Sequence, residues 1–270
     1  MLTLLDGPLG TELIARGVDC PAPLWSAAGL ELAPDLVRDI HAAYAGAGAT
    51  VHTTNTFRTK RRAAGERWGA LTDLAVRLAR EGGGGRVAGS IAPLEDCYRP
   101  DLSPADPEPE HRELAHRLVA AGVDLLLCET FPHVGEALAA VRACVATGRP
   151  TWVAFTAGPE ADLLSPAQVA RGAAAAVALG AEAVLVNCVP VDRTQAFLEP
   201  LAELGVPFGA YANAGPASIG IGWSPGPDGP ARYADHVEAW VDLGATLIGS
   251  CCGCGPAHTA ELARRFGSEG

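Results

Sequence analysis

The stretch GSCCGCG, residues 249–255, sets two cysteines side by side and a third two places on, among glycines. Eight cysteines in 270 residues are too sparse for a disulfide scaffold, so an adjacent pair points to metal binding or catalysis. With Cys188, at the end of AVLVNC, the pair Cys251 and Cys252 makes a set of three soft donors. Three thiolates suit a tetrahedral zinc ion with a fourth position open to water or a substrate atom. Two other readings stay open: the cysteines are small buried hydrophobes, or Cys254 completes a closed four-sulfur structural site. Cys20, Cys97, Cys128 and Cys144 have no partner in sequence and read as packing residues. The seven histidines show neither HExxH nor HxH spacing: His52 falls in an apolar run, and His41, His116 and His236 on helical stretches.

For Cys188 to meet Cys251 and Cys252, the chain must bring distant segments together, and its periodicity says how. Short apolar, β-branched runs occur at 2–5, 49–53, 86–90, 123–129, 151–156, 183–188, 206–211 and 245–250. Between them lie helical stretches such as PDLVRDIHAAYAGAG and SPAQVARGAAAAVALG, which open near Pro, Ser, Asp or Glu and stop at Gly. A glycine phrase recurs before strands (GAGATV, AAGVDL, LGAEAV, LGATLI), as expected of helix C-caps. Eight alternations of strand and helix predict one domain over 1–270, a single closed (β/α)8 (TIM) barrel. EGGGGRV, 81–87, lacks the Lys-Ser/Thr of a phosphate loop and reads as a flexible helix-to-strand connection.

In such a barrel the strand ends converge on one mouth. That mouth gathers Asp6, Thr53 to Asn55, Ser90, Glu129, Thr156, Cys188, Asn213 and the pair Cys251 and Cys252. At a strand-to-loop turn the alternation of side chains breaks, so both adjacent sulfurs can reach one ion. Asp6 and Glu129 suit an ammonium group, and DGPLGT, through Gly7, Gly10 and Thr11, offers backbone N–H groups to a carboxylate. Taken singly, Asp6 reads equally as a helix cap and Glu129 as a solvated loop acid. Trp25, Phe57, Tyr98, Tyr211 and Trp223 lie near mouth loops and would suit an onium ligand, or simply pack. The Pro-rich stretches 98–111 and 222–233 follow strands and either cover the site or decorate the surface.

A formal charge of −11 argues against a nucleic acid or an anionic membrane as partner and favours small molecules. The N-terminus lacks the basic flank and apolar run of a signal peptide, and no uninterrupted run of about 18 apolar residues occurs. Cytoplasmic residence is therefore expected.

LLDGPLGTEL, TTNTF, GSIAPLEDCYRP, ETFPHVGEA, VNC and GSCCG, in this order from residue 3 to about 260, resemble the homocysteine S-methyltransferase family. The resemblance implies a zinc-dependent barrel in which the metal binds the homocysteine thiol, with Cys188, Cys251 and Cys252 as ligands. It implies that Asp6 and Glu129 orient the substrate amino group, with Gly7, Gly10, Thr11, Asn55 and Ser90 around it. Asn213, in YANAG, matches an asparagine placed near the zinc in methionine synthase modules, where it would fill the fourth position until substrate arrives. Cys254 departs from the family pattern. PLWSA resembles the S-methylmethionine branch, whereas GSIAPLEDCYRP and YANAG are also similar to the synthase module. The implied reaction is methyl transfer from an onium donor, S-methylmethionine or S-adenosylmethionine foremost, to L-homocysteine, giving methionine. The alternatives are a module that takes its methyl from a methylcorrinoid protein partner, and a non-catalytic zinc- or thiol-binding barrel. The all-cysteine set disfavours a zinc hydrolase, which wants a histidine or carboxylate ligand and a general base.

Overall fold

A computed structural model of the chain describes residues 2–214 and 229–267. Eight strands occur in chain order: β1 (Thr3–Leu4), β2 (Val51–Thr53), β3 (Arg86–Ile91), β4 (Leu125–Phe131), β5 (Thr151–Phe155), β6 (Ala183–Pro190), β7 (Phe208–Asn213) and β8 (Leu247–Ser250). All pair in parallel, in the order β1-β8-β7-β6-β5-β4-β3-β2. A parallel bridge from Leu5 to Val51 joins the two ends of that order, so the sheet closes into the expected barrel. Each predicted run overlaps its strand, but β4, β6 and β7 continue two residues further, to Phe131, Pro190 and Asn213. In β4 and β6 the pairing register shifts, between Cys128 and Phe131 and between Asn187 and Pro190. Such a bulge lets a strand carry extra residues without losing its partner.

Helices between the strands ring the barrel, among them Pro34–Gly46, Trp68–Gly83, Glu108–Ala121, Val134–Val145, Pro166–Ala178, Gly229–Asp242 and Pro256–Phe266. Their starts have local causes. Proline occupies the first helical position at Pro34, Pro166 and Pro256, and Ser165 with Gln168 forms a reciprocal capping box. Among the described residues no helix is long and apolar enough to cross a membrane.

Alternation along the strands builds two cores. Leu125 and Leu127 of β4, Ala183 and Leu185 of β6 and Tyr211 of β7 fill the barrel, while Leu126, Cys128, Val184 and Val186 pack outward against the helices. The same parity sends Glu129, Asn187 and Asn213 inward at the upper end.

The recurring glycine phrase is a helix-stop device. Gly48, Gly122, Gly180 and Gly244 have φ of 103°, 96°, 107° and 101°. A side chain at Gly122 would meet nothing within 4 Å, so substitution there tests backbone conformation alone. Gly122→Ala is expected to cost about 1–3 kcal/mol, read as a fall in Tm. Catalysis should be untouched, because Gly122 lies at the end of the barrel opposite the site.

The four-glycine stretch corrects an expectation. Instead of a flexible connection, Gly82 and Gly83 are the last turn of the helix Trp68–Gly83, with Gly84 (φ 70°) as its cap. A Cβ at Gly82 would lie 2.3 Å from the Arg38 carbonyl oxygen, and one at Gly83 would lie 2.5 Å from the His52 ring. These glycines permit close approach.

Candidate active site

A cavity of about 580 Å³ opens at the C-terminal end of the strands, large enough for two small ligands. Its lining includes Asp6 from the end of β1, Glu129 and Thr130 from β4, Cys188 from β6 and Cys251 with Cys252 after β8.

The three sulfurs predicted to meet do meet. Cys188 Sγ lies 2.7 Å from Cys251 Sγ, and Cys251 Sγ 4.0 Å from Cys252 Sγ. All three ligand atoms fall within 4.8 Å of one another, and Cys254 lies outside the cluster, buried. The closed four-sulfur alternative therefore fails. Strand parity alone would send Cys188 outward with Val184 and Val186. The β6 bulge and a left-handed backbone at Cys188 (φ 52°) turn it into the cavity. Thr130 on β4 is likewise left-handed (φ 61°). The Asn187 side chain locks the two bends together, its Oδ1 accepting from Thr130 N at 3.0 Å and its Nδ2 donating to Thr130 Oγ1 at 2.7 Å. Thr156 Oγ1 donates to the Cys188 carbonyl at 3.3 Å, from outside the cavity lining. At the other strand end, Cys251 N donates to the Ala212 carbonyl at 2.8 Å. Ala214 N donates to that of Cys252 at 3.0 Å, and the chain turns at Gly253 (φ 79°). The strand has ended by then, so neighbouring side chains share a face.

Three thiols this crowded cannot all ionise without a counter-charge. Hydrogen bonds from Cys188 and Cys251 hold Cys252 well below the usual thiol range, whereas its neighbours and burial push Cys251 well above it. The donor set thus fits a thiophilic dication, which would neutralise the cluster. Asn213, the last residue of β7, is fully buried and its amide Oδ1 and Nδ2 have no hydrogen-bond partner. An orphaned amide at that strand end is what a further ligand position would use.

The two carboxylates are buried, which excludes the solvated-acid reading of Glu129. Glu129 accepts from the Ser90 hydroxyl and, at 2.9 Å, from Tyr211 OH. Burial pushes its carboxyl up to about 7 despite both donors. Ser90 itself does not line the cavity; it acts on Glu129 from behind. Asp6 Oδ2 accepts from Thr53 N at 2.9 Å, tying the end of β1 to β2. Gly7, Gly10 and Thr11 line the cavity beside it, on the first turn of the helix Leu9–Ala15 and the residues before it, where N–H groups lack intrahelical acceptors. Thr11 Oγ1 accepts from Gly253 N at 3.1 Å, clamping that turn to the cysteine loop. Asn55 lines the cavity, but its amide is committed to Ser26: Nδ2 donates to the Ser26 carbonyl and Oδ1 accepts from Ser26 Oγ, each at 2.8 Å.

Of the aromatic residues named from the sequence, Trp25, Phe57, Tyr98 and Tyr211 line the cavity, and Trp25 stacks on Phe57 at 6.3 Å and 20°. Trp223 and most of 222–233 lie outside the described residues; 229–233 begin a helix. In 98–111 only Tyr98 reaches the cavity. Several features escaped sequence reasoning. Cys20 and Cys97 line the same cavity, and Cys128 and Cys144 are not partnerless, their sulfurs lying 3.4 Å apart. His41 and His52 flank Asp6 from the barrel wall. Their sequence distances from Asp6 carry no motif; only the glycine run that packs beside them is visible in the sequence.

In metal-free protein near neutral pH, iodoacetamide should alkylate Cys252 before the other cysteines. It is partly exposed and is the thiol held low, whereas Cys20, also partly exposed, is pushed up by burial. Peptide mass mapping reads the order, and metal loading should abolish the preference.

Comparison with known proteins identifies the family. The family model for homocysteine S-methyltransferase matches residues 3–266. The homocysteine S-methyltransferase of Escherichia coli is 33% identical, over 98% of this chain and 95% of the relative. The S-methylmethionine-homocysteine S-methyltransferase of Mus musculus is 28% identical over 92% of this chain and 74% of its own. The solved metallated form of the Escherichia coli homocysteine methyltransferase MmuM superposes with a TM-score of 0.81 at 29% identity, covering 98% of this chain and 96% of that one. A barrel mouth built from three converging thiols and two buried acids, on a chain matched almost end to end, makes this protein a member of the homocysteine S-methyltransferase family.

Proposed function

We propose that the protein transfers a methyl group from an onium donor, S-methylmethionine or S-adenosylmethionine, to the thiol of L-homocysteine, giving methionine. One observation carries the reading: Cys188, Cys251 and Cys252 share a cavity with Asp6 and Glu129, so one amino acid can offer its sulfur to the first set and its ammonium to the second. Cys188, Cys251 and Cys252, with Asn213 as a candidate for the remaining position, would hold a zinc ion, which when bound would supply a Lewis acid to keep the substrate thiol deprotonated at neutral pH. The chain's own residues do the rest. Asp6 and Glu129 pair with the ammonium, and the first-turn N–H groups near Gly10 and Thr11 face the carboxylate. Buried walls exclude water from the reacting sulfur. Trp25 and Phe57 supply an apolar wall for the donor, with the Arg58 guanidinium already stacked 4.1 Å from the Trp25 ring centre. The acceptor sulfur's electron pair forms the new S–CH3 bond as the methyl's bond to the donor sulfonium breaks, and the donor leaves as a neutral thioether. Alignment is the main demand of such a displacement. A reducing, cytoplasmic setting suits a chain whose eight cysteines are all free.

The direct test offers homocysteine and each donor to zinc-loaded protein. Methionine should form from an onium donor and fall about a hundredfold or more in Cys251→Ala, together with metal content. No product from any onium donor, with homocysteine still changing the metal's sulfur coordination, would replace the donor by a methylcorrinoid protein.

The pH dependence follows from Glu129. Its ionised form attracts the ammonium, and it protonates as pH falls through about 7, so KM for homocysteine should rise on the acid side. Glu129→Gln should flatten that limb. Tyr211→Phe removes a hydroxyl that favours the carboxylate and should move the limb to higher pH.

A further inference from the structure

Behind Asp6 stand two imidazoles that the reaction leaves without a role. Leu5 points into the barrel, so Asp6, the next residue, turns toward the helices; His52 does the same after the inward Val51. There His41 Nδ1, from the helix Pro34–Gly46, lies 3.6 Å from Asp6 Oδ2, and His52 Nδ1 lies 3.9 Å from the same oxygen. Both rings are fully buried, and neither makes a well-formed hydrogen bond, His52 having only loose contacts with the Ala49 and Gly83 backbone. Thr53 N also donates to Oδ2, whereas Oδ1 has no hydrogen bond among the described residues and Asp6 lines the cavity. The carboxylate is thus two-sided, with one oxygen gripped by the wall.

We propose that His41 and His52 are positioning residues for recognition of the acceptor's amino group. They form a polar backing behind Asp6 Oδ2, the oxygen that Thr53 N already holds, and leave Oδ1 for the ammonium. This rests on the acceptor reading above. A lysine or arginine in their place would neutralise Asp6 and compete with the substrate, whereas a purely apolar wall would disfavour its charge. Burial lowers the proton affinity of His52, which keeps its ring neutral. The helix end is shaped for the pair: a Cβ at Gly82 would lie 2.9 Å from His41 Cβ, and one at Gly83 would lie 2.5 Å from His52 Cγ. Gly83 makes room for the His52 ring, and Gly82 lets its helix approach the backbone that carries His41.

The test compares homocysteine with its des-amino analogue, sulfanylbutanoate, as acceptors and as calorimetric ligands of the full zinc-loaded chain. In His52→Leu and in Gly83→Ala, which touches no substrate, the preference for homocysteine should fall about tenfold, as expected for one weakened charged hydrogen bond. The des-amino acceptor should change less than about twofold, and His52→Gln, which restores a polar neighbour, should recover most of the preference. Folding of each variant is checked by melting. Equal losses with both acceptors, or an unchanged preference, overturn the proposal. So does a second equivalent of bound metal that His52→Leu removes, which would make Asp6, His41 and His52 a buried cation site. A wild-type chain without preference between the two acceptors overturns the acceptor reading itself, an outcome separate from the others.

Discussion

Crowding of acidic groups in one mostly apolar cavity is the constraint around which the upper barrel is organised. Asp6, Glu129 and three thiols share a space of about 580 Å³ in a chain already at −11. Two like charges about 4 Å apart at an effective dielectric near 20 repel by about 4 kcal/mol, so the free site cannot carry them all. Its surroundings favour the thiolate at Cys252, disfavour it at Cys251 and push the Glu129 carboxyl up to about 7. A dication at the sulfurs and an ammonium at the carboxylates relieve that repulsion together. The preference for an amino-acid thiol and the preference for a metal thus share one electrostatic origin.

Holding these groups together requires backbone that a regular strand does not offer. Cys188 and Thr130 adopt left-handed conformations at the bulged ends of β6 and β4, and the Asn187 amide joins the two bends. Strain of this kind persists only where surrounding structure over-determines it. The fully parallel sheet, closed through Leu5 and Val51, does so, with regular helix stops at the lower end and irregular geometry confined to the upper. Glycines at Gly122 and Gly180 terminate helices, while Gly83, in the last turn of its own helix, also admits the His52 ring behind Asp6.

Much of this was legible in the chain because local rules govern it. Strand runs, helix caps and stop glycines follow from short-range patterning, and GSCCGCG with Cys188 was legible because reducing chemistry leaves adjacent cysteines few uses. What the sequence left hidden shares a cause. EGGGGRV looks flexible in isolation, since sequence does not show that His52 and the Arg38 carbonyl press against it. Cys128 and Cys144 look solitary because 16 positions separate them along the chain, although β4 and the helix Val134–Val145 bring their sulfurs to 3.4 Å. Asn55 looks available for substrate until its amide is found bound to Ser26 on both sides.

By itself, then, the sequence determined the barrel, its single closed sheet and the residue types at its mouth, because periodicity and residue chemistry are properties of neighbours in the chain. Tertiary structure alone decided which way Cys188 faces, which thiol keeps the charge, and that Asp6 is backed by His41 and His52. Those outcomes depend on bulges, dielectric environment and contacts between segments 35 or more residues apart, none of which a linear pattern encodes.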